Sequence, residues 1–297
     1  MLRGIAVLAL AAAAGAAAGL WLTAPVSVTE ADLPSHDRDA ARGEMIFHAT
    51  GCASCHAAPK AEGEGKLVLA GGHAFETEFG TFHAPNISPD AQAGIGGWTD
   101  AQFVSAVKYG TSPGGQHYYP AFPYASYIRM ETADLLDLKA FMDSLPADPT
   151  PSKPHDLGFP FNLRVTIGGW KMLYLDASPV VPQTDPVLAR GQYLVEAMGH
   201  CAECHTPRNA LGGLDMARWL GGGPNPDGEG TIPNITPGDL DWSEGDIAYY
   251  LKSGFTPDFD SVGGSMVSVV ENMANLPDED LAAIAAYLKA VPAVSAP

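Results

Sequence analysis

The chain's pattern of apolar and polar positions divides into a leader and two stretches that repeat one another. Behind Arg3, Gly4 to Leu22 is an Ala-rich run of 19 apolar positions, spanning roughly 28 Å if helical, close to a bilayer core. Residues 31–39 are polar. Asp39 is placed to cap a helix from Ala40 to about Thr50, with Met45, Ile46 and Ala49 as its apolar stripe and Gly51 as its stop. Residues 57–81, rich in Gly, Glu and Lys, read as loop, with Gly71-Gly72 marking a close backbone approach. Thr99 and Gln102 form a capping box that opens a helix to Tyr109, and Gly110 closes it. Tyr118 to Tyr124 is aromatic and broken by Pro120 and Pro123, which excludes regular helix and central strand. A last helix from Thr132 to about Ser144 puts Leu135, Leu138 and Phe141 on one face, ahead of Pro146.

The same order then returns. Ala189-Arg190-Gly191 matches Ala41-Arg42-Gly43, and Pro233-Asn234-Ile235-Thr236-Pro237 matches Pro85 to Pro89. Trp242-Ser243 matches Trp98-Thr99, and Lys252-Ser253-Gly254 matches Lys108-Tyr109-Gly110. A final helix from about Pro277 to Ala290 stops before Pro292. Several unrelated signals in one order mean two copies of one module. Nothing alternates with period two, so the expected fold is all-α: two tandem domains, 31–148 and 186–297, behind a hydrophobic helix in residues 1–30. Residues 149–185, rich in proline, connect them. Their middle, Phe159 to Arg164 and Gly168 to Trp170, is too apolar for a free linker and should pack between the domains, with a short helix near 163–173.

Length and charge narrow the reading. The 297 residues allow two compact domains, and the formal charge of -18 argues against a nucleic-acid partner, which needs clustered Lys and Arg. The same charge keeps the protein soluble and could steer a basic redox partner. The leader reads as an uncleaved membrane anchor in preference to a cleaved signal. Pro25 spoils a cut after Ala24, Trp21 suits the outer interface and Arg3 the cytoplasmic side. Ala16-Ala17-Ala18 is the alternative cleavage site, and both readings export the chain to the periplasmic side of the inner membrane.

Each module contains one pentapeptide of particular chemistry: Cys52-Ala53-Ser54-Cys55-His56 and Cys201-Ala202-Glu203-Cys204-His205. C-x-x-C-H attaches c-type haem through both thiols and sets the histidine under the iron. A single copy could hold zinc or act as a redox dithiol. Two copies that use all four cysteines, each opening the same downstream pattern, favour two covalently bound haem c groups. Cys52, Cys55, Cys201 and Cys204 are thus the attachment residues, and His56 and His205 the proximal ligands.

The sixth iron position decides the chemistry. A methionine opposite histidine raises the potential and suits electron transfer. Met130 follows the aromatic loop of module one, and Met266 follows Gly263-Gly264-Ser265 in what reads as the comparable place of module two. Met273 competes with Met266. His73, His83 and His117 compete in module one, whereas module two has only His200 besides His205. Met45, Met142 and Met198 fit helical faces as core.

The chain resembles the membrane-associated multihaem cytochrome c subunits that accept electrons from bacterial periplasmic alcohol, gluconate and related dehydrogenases. The matching stretches are Gly80-Thr81-Phe82, Pro85 to Asp90, Gly94 to Trp98, Tyr119 to Tyr124, Phe161 to Arg164, Gly169-Trp170 and Gly264-Ser265-Met266. The resemblance implies class I cytochrome c domains, with Met130 and Met266 as axial ligands. It also implies a dehydrogenase as electron donor and the respiratory chain as acceptor. The alcohol dehydrogenase subunits carry three haem motifs where this chain has two, and often have Met where Phe122 stands. The expected function is electron transfer through two His/Met haems without catalysis by the chain itself. A dihaem peroxidase or sulfur-compound oxidoreductase is the alternative; the first needs an open iron, the second a distal Cys or His.

Overall fold

The computed structural model describes residues 2–225 and 230–295, and expectations falling on residues 1, 226–229 and 296–297 lie outside them. Helix α1 (Leu2–Leu22) stands clear of the body. Its stretch Arg3–Leu22, with mean hydropathy 2.1, is long and apolar enough to cross a membrane.

The first module opens with α2 (Ala40–Ala49), where the Asp39 carboxylate accepts the backbone N–H groups of Ala41 and Arg42. Gly51 then turns left-handed at φ 61, and α3 (Cys52–His56) carries the first motif. Strands β1 (Ala74–Thr77) and β2 (Gly80–His83) follow as a hairpin. Helix α4 (Asp100–Tyr109) begins on the Thr99/Gln102 capping box and ends on left-handed Gly110. The short α5 (Tyr124–Tyr127) leads to α6 (Thr132–Met142). Strand β3 (Asp156–Leu157) and α7 (Thr166–Tyr174) belong to the connection. The second module comprises α8 (Pro186–Tyr193), α9 (Ala202–His205), the strand pair β4 (Gly223–Pro224) and β5 (Thr231–Ile232), α10 (Glu244–Ser253), α11 (Met266–Met273) and α12 (Asp278–Ala290).

The Arg-Gly dipeptide shared by the modules is a helix-crossing device. A Cβ on Gly43 would fall inside the Asp137 carbonyl of α6, and one on Gly191 inside the Ala283 carbonyl of α12. The absent side chain lets the first and last helices of each module touch backbone to backbone. The arginine beside it ties the crossing electrostatically. Arg42 pairs with Asp134 and Asp137, and Arg190 pairs with Asp280 at 2.6 Å. Asp137 is fully buried, yet it also accepts the Asp39 N–H at 2.8 Å and lies 2.6 Å from His36 Nε2. Its charge is therefore paired rather than stranded.

Several expectations are corrected. The fold is mostly helical, not all-α, because five short strands are present among the described residues. Residues 57–81 are not one loop: Gly63–Leu67 is a 3-10 turn, and β1 with the start of β2 is a hairpin that β3 joins. Strands of two to four residues are too short for period-two alternation to register in sequence. The Tyr118–Tyr124 loop ends in α5. Helix α11 and a π turn, Leu194–Met198, were not anticipated. The turn has a simple origin. Gly43 to Cys52 is nine residues and Gly191 to Cys201 is ten, so the second module absorbs one extra residue as a π bulge. The connection packs only part of its apolar middle: Gly168 is buried and Trp170 lies edge-on to Tyr124 while donating to the Leu211 carbonyl of the second module, whereas Phe159, Phe161, Leu163 and Val165 are exposed.

The two modules share one continuous apolar core. Tyr193 of α8 donates to Asp134 of α6 at 2.6 Å, Asn272 of α11 donates to Ser54 at 3.0 Å, and Lys66 pairs with Glu271.

Candidate functional site

In each module the same backbone lattice holds the motif histidine. His56 Nδ1 donates to the Pro85 carbonyl at 2.9 Å, and His205 Nδ1 donates to the Pro233 carbonyl at 2.8 Å. The carbonyls of His56 and His205 accept from Gly71 and Gly222, both left-handed, at φ 71 and 69. A Cβ on either glycine would overlap the strand of chain that supplies the proline. The proline loop is held in turn by Asn86 and Asn234. Each side-chain amide donates to carbonyls near its module's end (Asp148 and Thr150, or Val294), while its oxygen accepts the N–H two residues on. With Nδ1 committed as donor, Nε2 of each ring is left as the basic nitrogen, as a metal-bound imidazole requires. Burial pushes both imidazole pKa values down, which favours the neutral ring.

Cys52, Cys55 and His56 line a cavity of about 400 Å³, and Met130 lines the same cavity. Met130 is 1% exposed; its N–H donates to the Tyr127 carbonyl and its carbonyl accepts from Lys108 Nζ at 2.6 Å. In the second module Cys201 and His205 are half-buried and Cys204 exposed, and Met266 packs half-buried against the core. Met273 is buried, and its methyl group and the Cys201 sulfur both lie beside Gly199. Met142 and Met198 are buried in the core and Met45 packs against it, as expected.

Hydrogen bonds fix how the distal segments correspond, and they correct one expectation. Tyr118 N–H bonds Gly110 as Val262 N–H bonds Gly254, so counting onward from each pair sets Met266 opposite Phe122. Lys108 Nζ bonds the Met130 carbonyl as Lys252 Nζ bonds that of Leu276, one residue before the helix cap. Met130 and Met266 are therefore not comparable positions; the counterpart of Met130 is Leu276. Two extra residues in the second module separate the two registers. Phe122 lines the first cavity, so its position belongs to the wall of the site.

Sequence reasoning missed contributors to the first cavity from outside the first module, three of them histidine or arginine. His155 and Arg164 reach it from the connection, and His200 reaches it from the second module. Burial, then Arg164 and His83, push the His155 imidazole down to about 4, so it is neutral at pH 7. His200 takes the left-handed turn, φ 41, that Gly51 takes in module one. Its ring packs edge-on to Tyr127, and its Nε2 lies 3.3 Å from the Thr50 carbonyl. Histidine just ahead of the second motif was a visible signal, but its meaning depends on how the modules dock.

The lining fits haem c. Aromatic and aliphatic walls suit a flat apolar ring, and two thiols with an adjacent imidazole suit covalent attachment. Arg164 together with buried His83 Nδ1, which has no hydrogen-bond partner among the described residues, suits the ring's carboxylates. Two tandem helical modules with this constellation define a carrier of covalently attached haem. The family model for cytochrome c matches residues 40–146 and 188–292, and the chain belongs to that family. It is 60% identical over 288 residues, 97% of both chains, to a diheme cytochrome c-type protein of Cereibacter sphaeroides. It is 35% identical to the gluconate 2-dehydrogenase cytochrome c subunit of Pantoea cypripedii, covering 90% of this chain and 62% of that one. It is also 35% identical to the fructose dehydrogenase cytochrome subunit of Gluconobacter japonicus, covering 87% of this chain and 54% of that one. The chain thus spans little more than half of these dehydrogenase subunits.

Because each motif has its own proline lattice, Cys204→Ala is expected to remove or loosen the second haem and leave the first attached. Intact mass with haem staining checks this; loss of both haems would show that attachment is not modular.

Proposed function

We propose that this protein is an electron-transfer dihaem cytochrome c on the periplasmic side of the inner membrane, held there by α1. In this reading it passes electrons from a dehydrogenase to the respiratory chain and catalyses no reaction of its own. Residues 31–148 and 186–297 form the two haem domains, joined by 149–185. Haem bound at Cys52 and Cys55 takes His56 and Met130 as ligands; haem bound at Cys201 and Cys204 takes His205 and Met266. When bound, haem c supplies an iron that carries one electron by alternating between ferric and ferrous states.

The observation that carries the reading is the placement of Met130 in the cavity that Cys52, Cys55 and His56 line. A buried thioether supplied by the loop before α6 can close the site against water and added ligands. Met266 is supported by its correspondence with Phe122, a wall residue of the first site. The chain's own work is to orient each imidazole through the Pro85 or Pro233 carbonyl, to exclude water with apolar walls, and to hold the two sites together. His200 serves the last purpose, because it joins the second motif and lines the first cavity. The dehydrogenase partner is supported by the names of the relatives, which are cytochrome subunits of fructose and gluconate dehydrogenases.

Spectroscopy and turnover together test this. Both haems are expected to be low-spin with a methionine–iron band, and both should be reduced when a purified sugar, alcohol or gluconate dehydrogenase is supplied with its substrate. A high-spin haem that turns over peroxide would assign the chain to the enzymes instead. The anchor is tested separately: the mature protein is expected to retain Arg3–Leu22. N-terminal sequencing of the membrane fraction that began at Gly19 or later would show a cleaved signal.

A further inference from the structure

The connection between the modules carries an apolar face that the rest of the chain leaves uncovered. Phe159 is 81% exposed, Met172 63% and Leu173 69%, and Val165 is exposed as well. The stretch 158–175 contains no acidic residue, although the chain carries 34. Its two cations point inward: Lys171 Nζ donates to the carbonyls of Tyr109 and Gly110, and Arg164 donates to the His117 carbonyl. What remains outward is uncharged and greasy, which costs solubility unless something covers it.

This face continues directly from the foot of α1. The Thr23 carbonyl, one residue past that helix, accepts from His117 Nε2 at 2.9 Å. The same carbonyl sits against Gly168 in α7, so closely that a Cβ there would overlap it. Val165, Gly168 and Met172 are spaced three and four residues apart and share one helix face. The exposed Val165 and Met172 therefore flank the point where the apolar helix meets the body. Trp21 and Val26, on either side of Thr23, are also exposed.

We propose that residues 159–173 form a second membrane contact, lying in the headgroup region of the bilayer that α1 spans. The inference rests on reading α1 as a retained anchor. An apolar face beside the end of a membrane span lies at the depth where interfacial segments bury about 5–10 Å into the lipid boundary. The charge pattern selects lipid over a protein partner. A chain of net charge -18 is repelled by anionic headgroups except where its surface lacks carboxylates, and this stretch is such a surface. The contact would hold the body at a fixed tilt to the bilayer.

The test uses the full-length holoprotein in vesicles of phosphatidylcholine and phosphatidylglycerol containing a lipid with a diazirine-bearing acyl chain. After illumination, adducts are expected in α1 and in the 159–173 peptide, and not at Phe259, an 89% exposed side chain of the second module. The double variant Phe159→Glu, Leu173→Glu alters only exposed side chains. It should lose the adducts of the connection while keeping those of α1 and both haem spectra. Labelling of α1 without the connection would overturn this inference and leave the anchor standing. No labelling of α1 would overturn the anchor first and the inference with it. A connection that is unlabelled by lipid, but protected from a water-soluble carbene once a dehydrogenase is added, would make the face a protein-docking surface and overturn the lipid assignment.

Discussion

Met130→Ala is expected to abolish the methionine–iron band of the first haem, to admit carbon monoxide or cyanide there, and to leave the second haem's band intact. Met130 is buried and lines one cavity with Cys52, Cys55 and His56, so removing its thioether opens that space. The substitution also removes a buried side chain, at a cost of about 2–5 kcal/mol in stability. Met130→His separates ligation from packing, since an imidazole should keep the haem low-spin while lowering its potential. The second site is expected to respond in the same way to Met266→Ala and Met266→His, although Met266 stands opposite Phe122 and not opposite Met130. If Met273→Ala, and not Met266→Ala, removed the second band, the ligand would be Met273, whose methyl group lies beside Gly199, just ahead of the second motif.

Gly43→Ala is expected to destabilise the first module by about 1–3 kcal/mol or more, the usual cost of overpacking. Alanine in a helix interior normally stabilises by about 1 kcal/mol relative to glycine. Here that gain is overridden, because the new methyl would enter the Asp137 carbonyl and push α6 off α2. Displacing α6 also disturbs the fully buried Asp137 carboxylate, which holds Arg42 and the Asp39 N–H. Gly191→Ala should do the same to the second module through the Ala283 carbonyl. Gly245→Ala in α10 is the control: only the Ser243 hydroxyl lies nearby, at 3.7 Å, so alanine should be neutral or stabilising there. Denaturant unfolding followed by circular dichroism reads all three. A rise in stability for Gly43→Ala would mean that the crossing is looser than its geometry.

The sequence by itself determined the features whose physics is local. The capping box at Thr99 and Gln102, the Asp39 cap and the left-handed stops at Gly51 and Gly110 are all set by a few adjacent residues. So are the two C-x-x-C-H motifs, because thiols and imidazole must be sequence neighbours to serve one haem. Duplication strengthened each signal, since a chance match in one module would not recur in the other.

Only the tertiary structure decided what depends on register between distant segments. The Arg-Gly repeat was visible in the sequence, but its role required α6 and α12 to be seen crossing at the glycine. One inserted residue before Cys201 became a π bulge, and two inserted residues between Met266 and Leu276 set Leu276, not Met266, opposite Met130. A single sequence does not say where an insertion is absorbed, because helix, bulge and loop take it at similar local cost. The apolar connection showed the same limit. Composition indicated that Phe159 to Trp170 should pack between the domains, whereas the direction in which α7 turns its side chains depended on where Gly168 met Thr23.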